Sequence, residues 1–272
     1  MASFDMTRLA LALIVLTAAA GSVRAEETPN HPLLNDRFRV SVGGFYAESN
    51  TSARLGSSSG GAGVDVSFED ALGLEERKWI GEFSTYWRIS SRWRLDVDYF
   101  RLQRSANRTL AQDVSWGDNT FTVGTSVNSS LTISDLRTSL GYSFFRRTDK
   151  ELGIALGVHT LGYKASIEGR NGGARSESVT APLPVLSLYG QFALTDTWAL
   201  SLRQDWLSLE YDKYSGSIRA TKIDVVYQPF KHVAFGLGMH SLDLKLDVQN
   251  DNSKFQARSG LRGPAAFISV SY

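Results

Sequence analysis

The feature that most constrains this chain is an alternation of apolar and polar residues that recurs, with short breaks, from Arg37 to Tyr272. In "WRLDVDYF", Trp93, Leu95, Val97 and Tyr99 oppose Arg94, Asp96 and Asp98. In "LRTSLGYSF", Leu136, Leu140, Tyr142 and Phe144 oppose Arg137, Ser139, Gly141 and Ser143. "LGIALGVHT" sets Leu152, Ile154, Leu156 and Val158 against glycine, alanine and His159, and "VAFGLGMH" does the same with Val233, Phe235, Leu237 and Met239 against His240. A period of two is the signature of a strand with one apolar face. No long stretch carries a 3.6-residue period, so the chain reads as all-β.

The connections between these runs come in two sizes. "RISSR" (88–92), "RRTDKE" (146–151), "LTDTW" (194–198) and "QPFKH" (228–232) are short and have aromatics beside them. Between them fall connections that are mostly longer or more polar, such as 50–63, 105–124 and 168–178. Short turns on one rim and long loops on the other is the plan of a transmembrane β-barrel. About ten strands are expected, near 37–48, 79–88, 91–105, 126–146, 151–168, 177–194, 197–210, 216–228, 232–248 and 254–272. "VDVSFED" in the stretch 50–77 either extends the second strand or adds a hairpin, which would make twelve. Several strands exceed the ~9–11 residues a bilayer requires, so the barrel should project beyond the outer surface.

A soluble barrel or sandwich would alternate too, with its apolar face turned inward. The membrane form is favoured because the polar face mixes charges with glycine and alanine, as a lumen does. The apolar face also meets aromatics near the turns. Trp87, Trp93, Phe144, Trp198 and Tyr227 form the expected girdle on the short-turn, periplasmic side.

The N-terminus reads as a secretory signal over 1–25: Arg8, an apolar core from Leu9 to Ala20, and the small-residue site "VRA" at 23–25. That core is too short to span a bilayer as a helix, and no transmembrane helix follows it. A short periplasmic lead, "EETPNHPLLND" (26–36), precedes the barrel at 37–272. Removing Arg8, Arg24 and Asp5 with the signal leaves 27 basic and 27 acidic residues, which argues against nucleic acid as a partner. There is no cysteine, hence no disulfide framework and no thiolate chemistry.

The last strand carries the most specific pattern. Ala266, Ile268, Val270 and Tyr272 share one face, and Ser269 and Ser271 the other, up to the final residue. Here the chain resembles Gram-negative outer-membrane β-barrel proteins, the broad group that includes OmpA-like barrels and porins. "FEDALGL" (68–74) and "APLP" (181–184) look like features of members with ten or more strands and no firm biochemical role. The resemblance implies that those four residues are the signal read by the barrel assembly machinery, with tyrosine where most members have phenylalanine. It also implies export to the outer membrane, with membrane lipid and lipopolysaccharide as surroundings. Closure of the last strand on the first follows from physics, since an unpaired edge in lipid is not tolerated.

Alternation places Arg39, Glu82, Arg88, Arg94, Asp96, Asp98, Arg137, Arg203, Asp205, Lys222 and Asp224 in the lumen, together with His159 and His240. Six bases against five acids suits a network of paired charges better than a selective pore, because unpaired buried charge is costly. A lining for a narrow channel is the alternative. Catalysis finds no support. Outer-membrane lipid hydrolases place a serine two residues after the histidine, whereas Leu161 and Leu242 stand there. His31 and His232 are expected in solvent. Asp65, Glu69 and Asp70 lack the spacing of a calcium loop and read as a solvated acidic strand end. No metal or cofactor is implied. The reading is a non-enzymatic barrel, structural or engaged at the surface; a narrow porin-like channel and a lipid-modifying hydrolase are its alternatives.

Overall fold

The computed structural model describes residues 31–55, 66–116, 119–170, 174–211, 214–250 and 253–272. A short helix, α1 (Pro32–Asn35), precedes β1 (Phe38–Leu55), β2 (Val66–Ser67), β3 (Arg77–Arg88) and β4 (Trp93–Thr109). After the small hairpin β5 (Val114–Trp116) and β6 (Asn119–Phe121) come β7 (Ser126–Arg146), β8 (Lys150–Gly169) and β9 (Ala174–Ala193). Then follow β10 (Trp198–Tyr211), β11 (Tyr214–Tyr227), β12 (Val233–Asn250) and β13 (Ser253–Ser271). The sheet order runs β13-β12-β11-β10-β9-β8-β7-β4-β3-β1, and β1 pairs again with β13. Ten antiparallel strands therefore close into a barrel, with no free edge at membrane depth. "VDVSFED" adds neither a full strand nor a hairpin to the ring. Its described part forms the two-residue β2 against Ser52 and Ala53, then turns. The expected signal segment lies outside the described residues.

The outward face carries an apolar belt with an aromatic row at each edge. Trp87, Trp93, Phe144, Trp198 and Tyr227 are exposed along the short-turn rim, joined by Phe38 and Tyr272. Trp198 and Tyr227 stack with centroids 4.5 Å apart. A second row, Tyr46, Trp79, Tyr99 and Trp206, marks the other edge. From Trp87 to Trp79 is eight residues, about 26 Å along the strand and about 20 Å of height at a barrel tilt of about 40°. That is the thickness of a thin outer-membrane core. The strands continue beyond it, so roughly half of each long strand stands clear of the belt.

The face that points inward changes character at the same height. On β7 the inward residues are Ser143, Gly141, Ser139, Arg137 and Asp135 within the belt, then Ile133, Leu131 and Val127 above it. β8 repeats this with His159 followed by Leu161, Tyr163 and Ile167, and β12 with His240 followed by Leu242, Leu244 and Leu246. On these strands the phase of the alternation carries through that height; its polarity inverts. Inside the membrane the outer face meets lipid and the inner face is polar. Above it the outer face meets water, and the interior is a continuous apolar core of the soluble kind.

Two sheet pairings lapse in the projecting half. β3 and β4 pair only from Glu82↔Phe100 to Arg88↔Arg94. The gap above is filled by residues 66–76, which fold into the mouth and bury Phe68, Leu72 and Leu74. β9 and β10 pair only as far as Leu186↔Trp206. Beyond that β9 keeps its pairing with β8 through Pro182 and Pro184, which fits ring nitrogens turned toward the open side, where no N–H is required.

Candidate functional site

The lumen within the belt is where the chemistry-bearing side chains converge. Every inward residue named from the alternation faces it, and the structure shows how they are partnered. Near the periplasmic rim Arg88 donates both terminal nitrogens to Glu151, at 3.0 and 2.8 Å, and Ser143 also bonds that carboxylate. Arg94 donates through Nε and Nη2 to Asp96, at 3.0 and 2.8 Å, and lies 3.9 Å over the Tyr189 ring. Arg39 donates to Asp36 and Gln228.

Higher up, one continuous network crosses the bore. It starts on β7, where Asp135 meets His159 of β8 at 2.7 Å. His159 reaches Asp205 of β10, and Arg137 joins Asp205 at 2.7 Å to Asp98 of β4 at 3.1 Å. Asp98 also takes Arg203 at 2.9 Å and Lys222 of β11 at 3.1 Å. Lys222 contacts Glu82 of β3, and His240 of β12 bridges Glu82 and Asp224 at 3.0 and 2.9 Å. Bidentate and charge-assisted bonds of this kind are the strong ones, and together they satisfy charges that burial would otherwise make costly.

Asp135 and Glu151 belong to this interior and raise the acidic count to seven against six bases. Both share the inward phase of strands already recognised, two residues from Arg137 and from Gly153, so extending the alternation by one step finds them. Tyr86, Tyr189, Gln191 and Gln228 are buried lumen residues with no sequence signal beyond phase. The lumen glycines have a packing reason. Tyr189 lies on Gly153, where a Cβ would come within 2.1 Å of the ring, and Phe267 lies on Gly236 in the same way, at 2.0 Å.

Residues pack against the polar bore at both ends. Toward the periplasm, residues 31–36, expected as a simple lead, are tucked into the mouth. The Tyr86 hydroxyl donates to the Leu33 and Asp36 carbonyls, and Arg146 donates to that of Leu34 at 2.7 Å. His31, expected in solvent, is fully buried and caps α1 by accepting from the Leu33 N–H at 3.0 Å. Its ring is held below the ordinary imidazole value mainly by burial and also by the Arg39 cation, against the Thr197 backbone and the Asp36 and Asp196 carboxylates. His232 is half-buried, with Nδ1 2.8 Å from the Ser271 carbonyl. On the other side, Glu69 is not a solvated strand end. Arg104, itself fully buried, donates to Glu69, to the Glu75 carbonyl and to Thr51, which stitches the 66–76 segment to β1 and β4.

Between α1 and the crossing network remains a cavity of about 120 Å³, lined among others by Leu33, Arg39, Arg94, Gln191, Lys222 and His240. Arg94 Nη1 and Gln191 Oε1 have no protein partner there, so the chamber suits a few waters. Among the described residues no His, Asp and Glu group has a metal-binding arrangement. On the closing strand, Ala266, Ile268, Val270 and Tyr272 all point outward, and the Tyr272 carbonyl accepts from the N–H groups of Arg37 and Phe38, each at 2.9 Å.

The fold is that of Gram-negative outer-membrane β-barrels. It is similar to the outer membrane protease OmpT from Escherichia coli, with a TM-score of 0.55 at 10% identity over 86% of this chain and 96% of that one. The transport unit of the autotransporter AIDA-I from Escherichia coli gives 0.41 at 8% identity, over 96% of each chain. Ail, the attachment invasion locus protein of Yersinia pestis, gives 0.35 at 10% identity over 84% of this chain and 99% of that one. No family model and no curated protein matches the chain. At such identities the likeness concerns the fold alone.

Proposed function

We propose that this chain is a closed, non-enzymatic outer-membrane barrel whose role is structural or exercised at the cell surface by its projecting half. The observation that carries this is the lumen: an ion network spans it from β7 to β12, and an apolar core fills the barrel above. Three layers stand in series between periplasm and exterior: α1, the network and that core. OmpT is a protease. In this chain the histidine–carboxylate pairs lie beneath the apolar layer, where a protein substrate has no approach, which supports the non-enzymatic reading. Export through residues 1–25, a periplasmic girdle of Trp87, Trp93, Phe144, Trp198 and Tyr227, and recognition of Ala266, Ile268, Val270 and Tyr272 by the assembly machinery complete the proposal.

The test is single-channel recording of the refolded mature chain in a planar bilayer. A folded protein that stays silent is the expected result. Discrete conductance steps that change when Arg94 or Arg203 is replaced would overturn it in favour of a narrow channel.

A further inference from the structure

The cavity beneath the crossing network is a built space. Well-packed interiors leave few voids larger than a water molecule. Here Ser41 of β1 stands directly opposite Ser84 of β3, and with Ser201 of β10 they line about 120 Å³ of open bore. All three are small side chains on the inward phase, where longer ones would fill the space. The wall carries four bases and four acids, each already engaged in the network or in a pair beside it. No net charge is left to select an ion. What remains are single polar atoms: the Arg94 Nη1 and Arg39 Nε donors and the Gln191 Oε1 acceptor, none with a hydrogen-bond partner among the described residues. These three residues are more than nine-tenths buried, where unmet donors and acceptors are costly. They are also neighbours. Arg39 pairs in register with Tyr86, the Arg94 guanidinium lies 5.5 Å from the Tyr86 ring centroid and 3.9 Å from that of Tyr189, and Gln191 is two residues further along β9.

We propose that this chamber is a periplasm-facing pocket for a small neutral polyol of about six non-hydrogen atoms. An apolar cavity of about 150 Å³ holds benzene, which sets that size. A hydroxyl both accepts and donates, so one can take the arginine N–H groups while another gives its proton to Gln191. A carboxylate has no donor for Gln191 and would add unpaired charge to a balanced wall. Leu33, Val226 and Phe267 give the C–H face of the ligand an apolar wall to meet. Access is from the periplasm. Leu33 belongs to α1, whose four residues are held in the mouth by hydrogen bonds from Tyr86 and Arg146, so undocking opens the chamber without disturbing the ring of strands. The chamber lies on the periplasmic side of the crossing network, so a ligand reaches it whether or not that network conducts.

The experiment titrates glycerol against the refolded mature chain in deuterated-detergent micelles, read by saturation-transfer NMR. Acetate serves as the anion probe, and urea as a probe with donors and an acceptor but no C–H face. Glycerol should saturate with a Kd on the order of 1 mM. Q191L removes the acceptor and should weaken binding about fivefold. S41L fills the chamber and should abolish saturable binding, whereas K164Q on the exposed outer face of β8 should bind like the parent. The proposal is overturned if glycerol gives no saturable signal, which would mean that the chamber holds water only. It is equally overturned if Q191L and S41L bind like the parent, or if urea or acetate binds more tightly than glycerol. Heat-modifiability on a gel verifies that each variant folds; should S41L not fold, the Q191L titration decides alone.

Discussion

Gly263 sits where β1 and β13 close the barrel, and a Cβ there would lie 1.9 Å from the Tyr46 carbonyl oxygen. Pro264 beside it has no N–H to offer, and the β1–β13 pairing lapses between Phe45↔Ala265 and Glu48↔Arg262. Backbone cannot yield as a flexible side chain can. Gly263→Val should therefore cost about 2 kcal/mol or more, read as a lower urea midpoint, whereas Gly81→Ala, with nothing within 4 Å of its Cβ, should be near neutral. Arg137 shows the same sensitivity in charge. It is 2% exposed and holds both Asp98 and Asp205. Arg137→Ala takes one partner from each of two buried carboxylates, leaving Asp98 with Arg203 and Lys222 and Asp205 with His159, and should destabilise by about 1.5–3 kcal/mol. An unchanged midpoint for that variant would mean water reaches the network freely.

At the scale of elements, the two seals differ in how they are held. Helix α1 has only four residues and depends on docking, with His31 neutral as its cap. Because burial lowers its pKa, the undocked segment binds the proton more readily than the docked one. Docking is then complete above the ordinary histidine range near 6.5 and weakens as pH falls through it toward the lowered value. Amide exchange at Leu33 and Leu34 should accelerate between pH 7.5 and pH 5 more than the usual acid slowing of intrinsic exchange allows for. Protection that does not change would dissociate His31 from docking. The 66–76 segment is held by apolar burial and Arg104, so it should be indifferent to that pH range. Phe68→Ala should cost about 3–5 kcal/mol by leaving a cavity in the upper core.

For the whole molecule, the proposed closure is redundant. Removing residues 31–36 opens the periplasmic mouth but leaves the crossing network and the apolar core in place. The truncated barrel should still be silent in a planar bilayer; steady conductance after that deletion would show that α1 alone closes the bore. The half outside the membrane is stabilised as a soluble barrel is, by burying residues such as Leu131, Ile133, Leu242 and Leu244, each of order 1.5–3 kcal/mol. The half inside is held by satisfied charge and by exclusion of backbone from lipid. Each half thus relies on the interaction its surroundings make strong.

Alternation alone was enough to determine the strands, their phase and the inward set from Arg39 to His240, because a period of two assigns each side chain to one of two faces whatever lies beyond them. The exposed aromatic row along the short-turn rim was legible for the same reason, as was the length of the strands beyond it. What alternation lacks is height. The same face of β7 carries Arg137 and then Ile133, and only the assembled barrel shows that the change falls at the membrane edge. Which carboxylate meets which base was also undecided. Asp98 gathers Arg137, Arg203 and Lys222 across separations of 39, 105 and 124 residues, which strand register and barrel closure set. The seals were hidden for a related reason. Residues 31–36 and 66–76 are too short to carry a period, and their burial comes from a mouth that exists only once ten strands have closed.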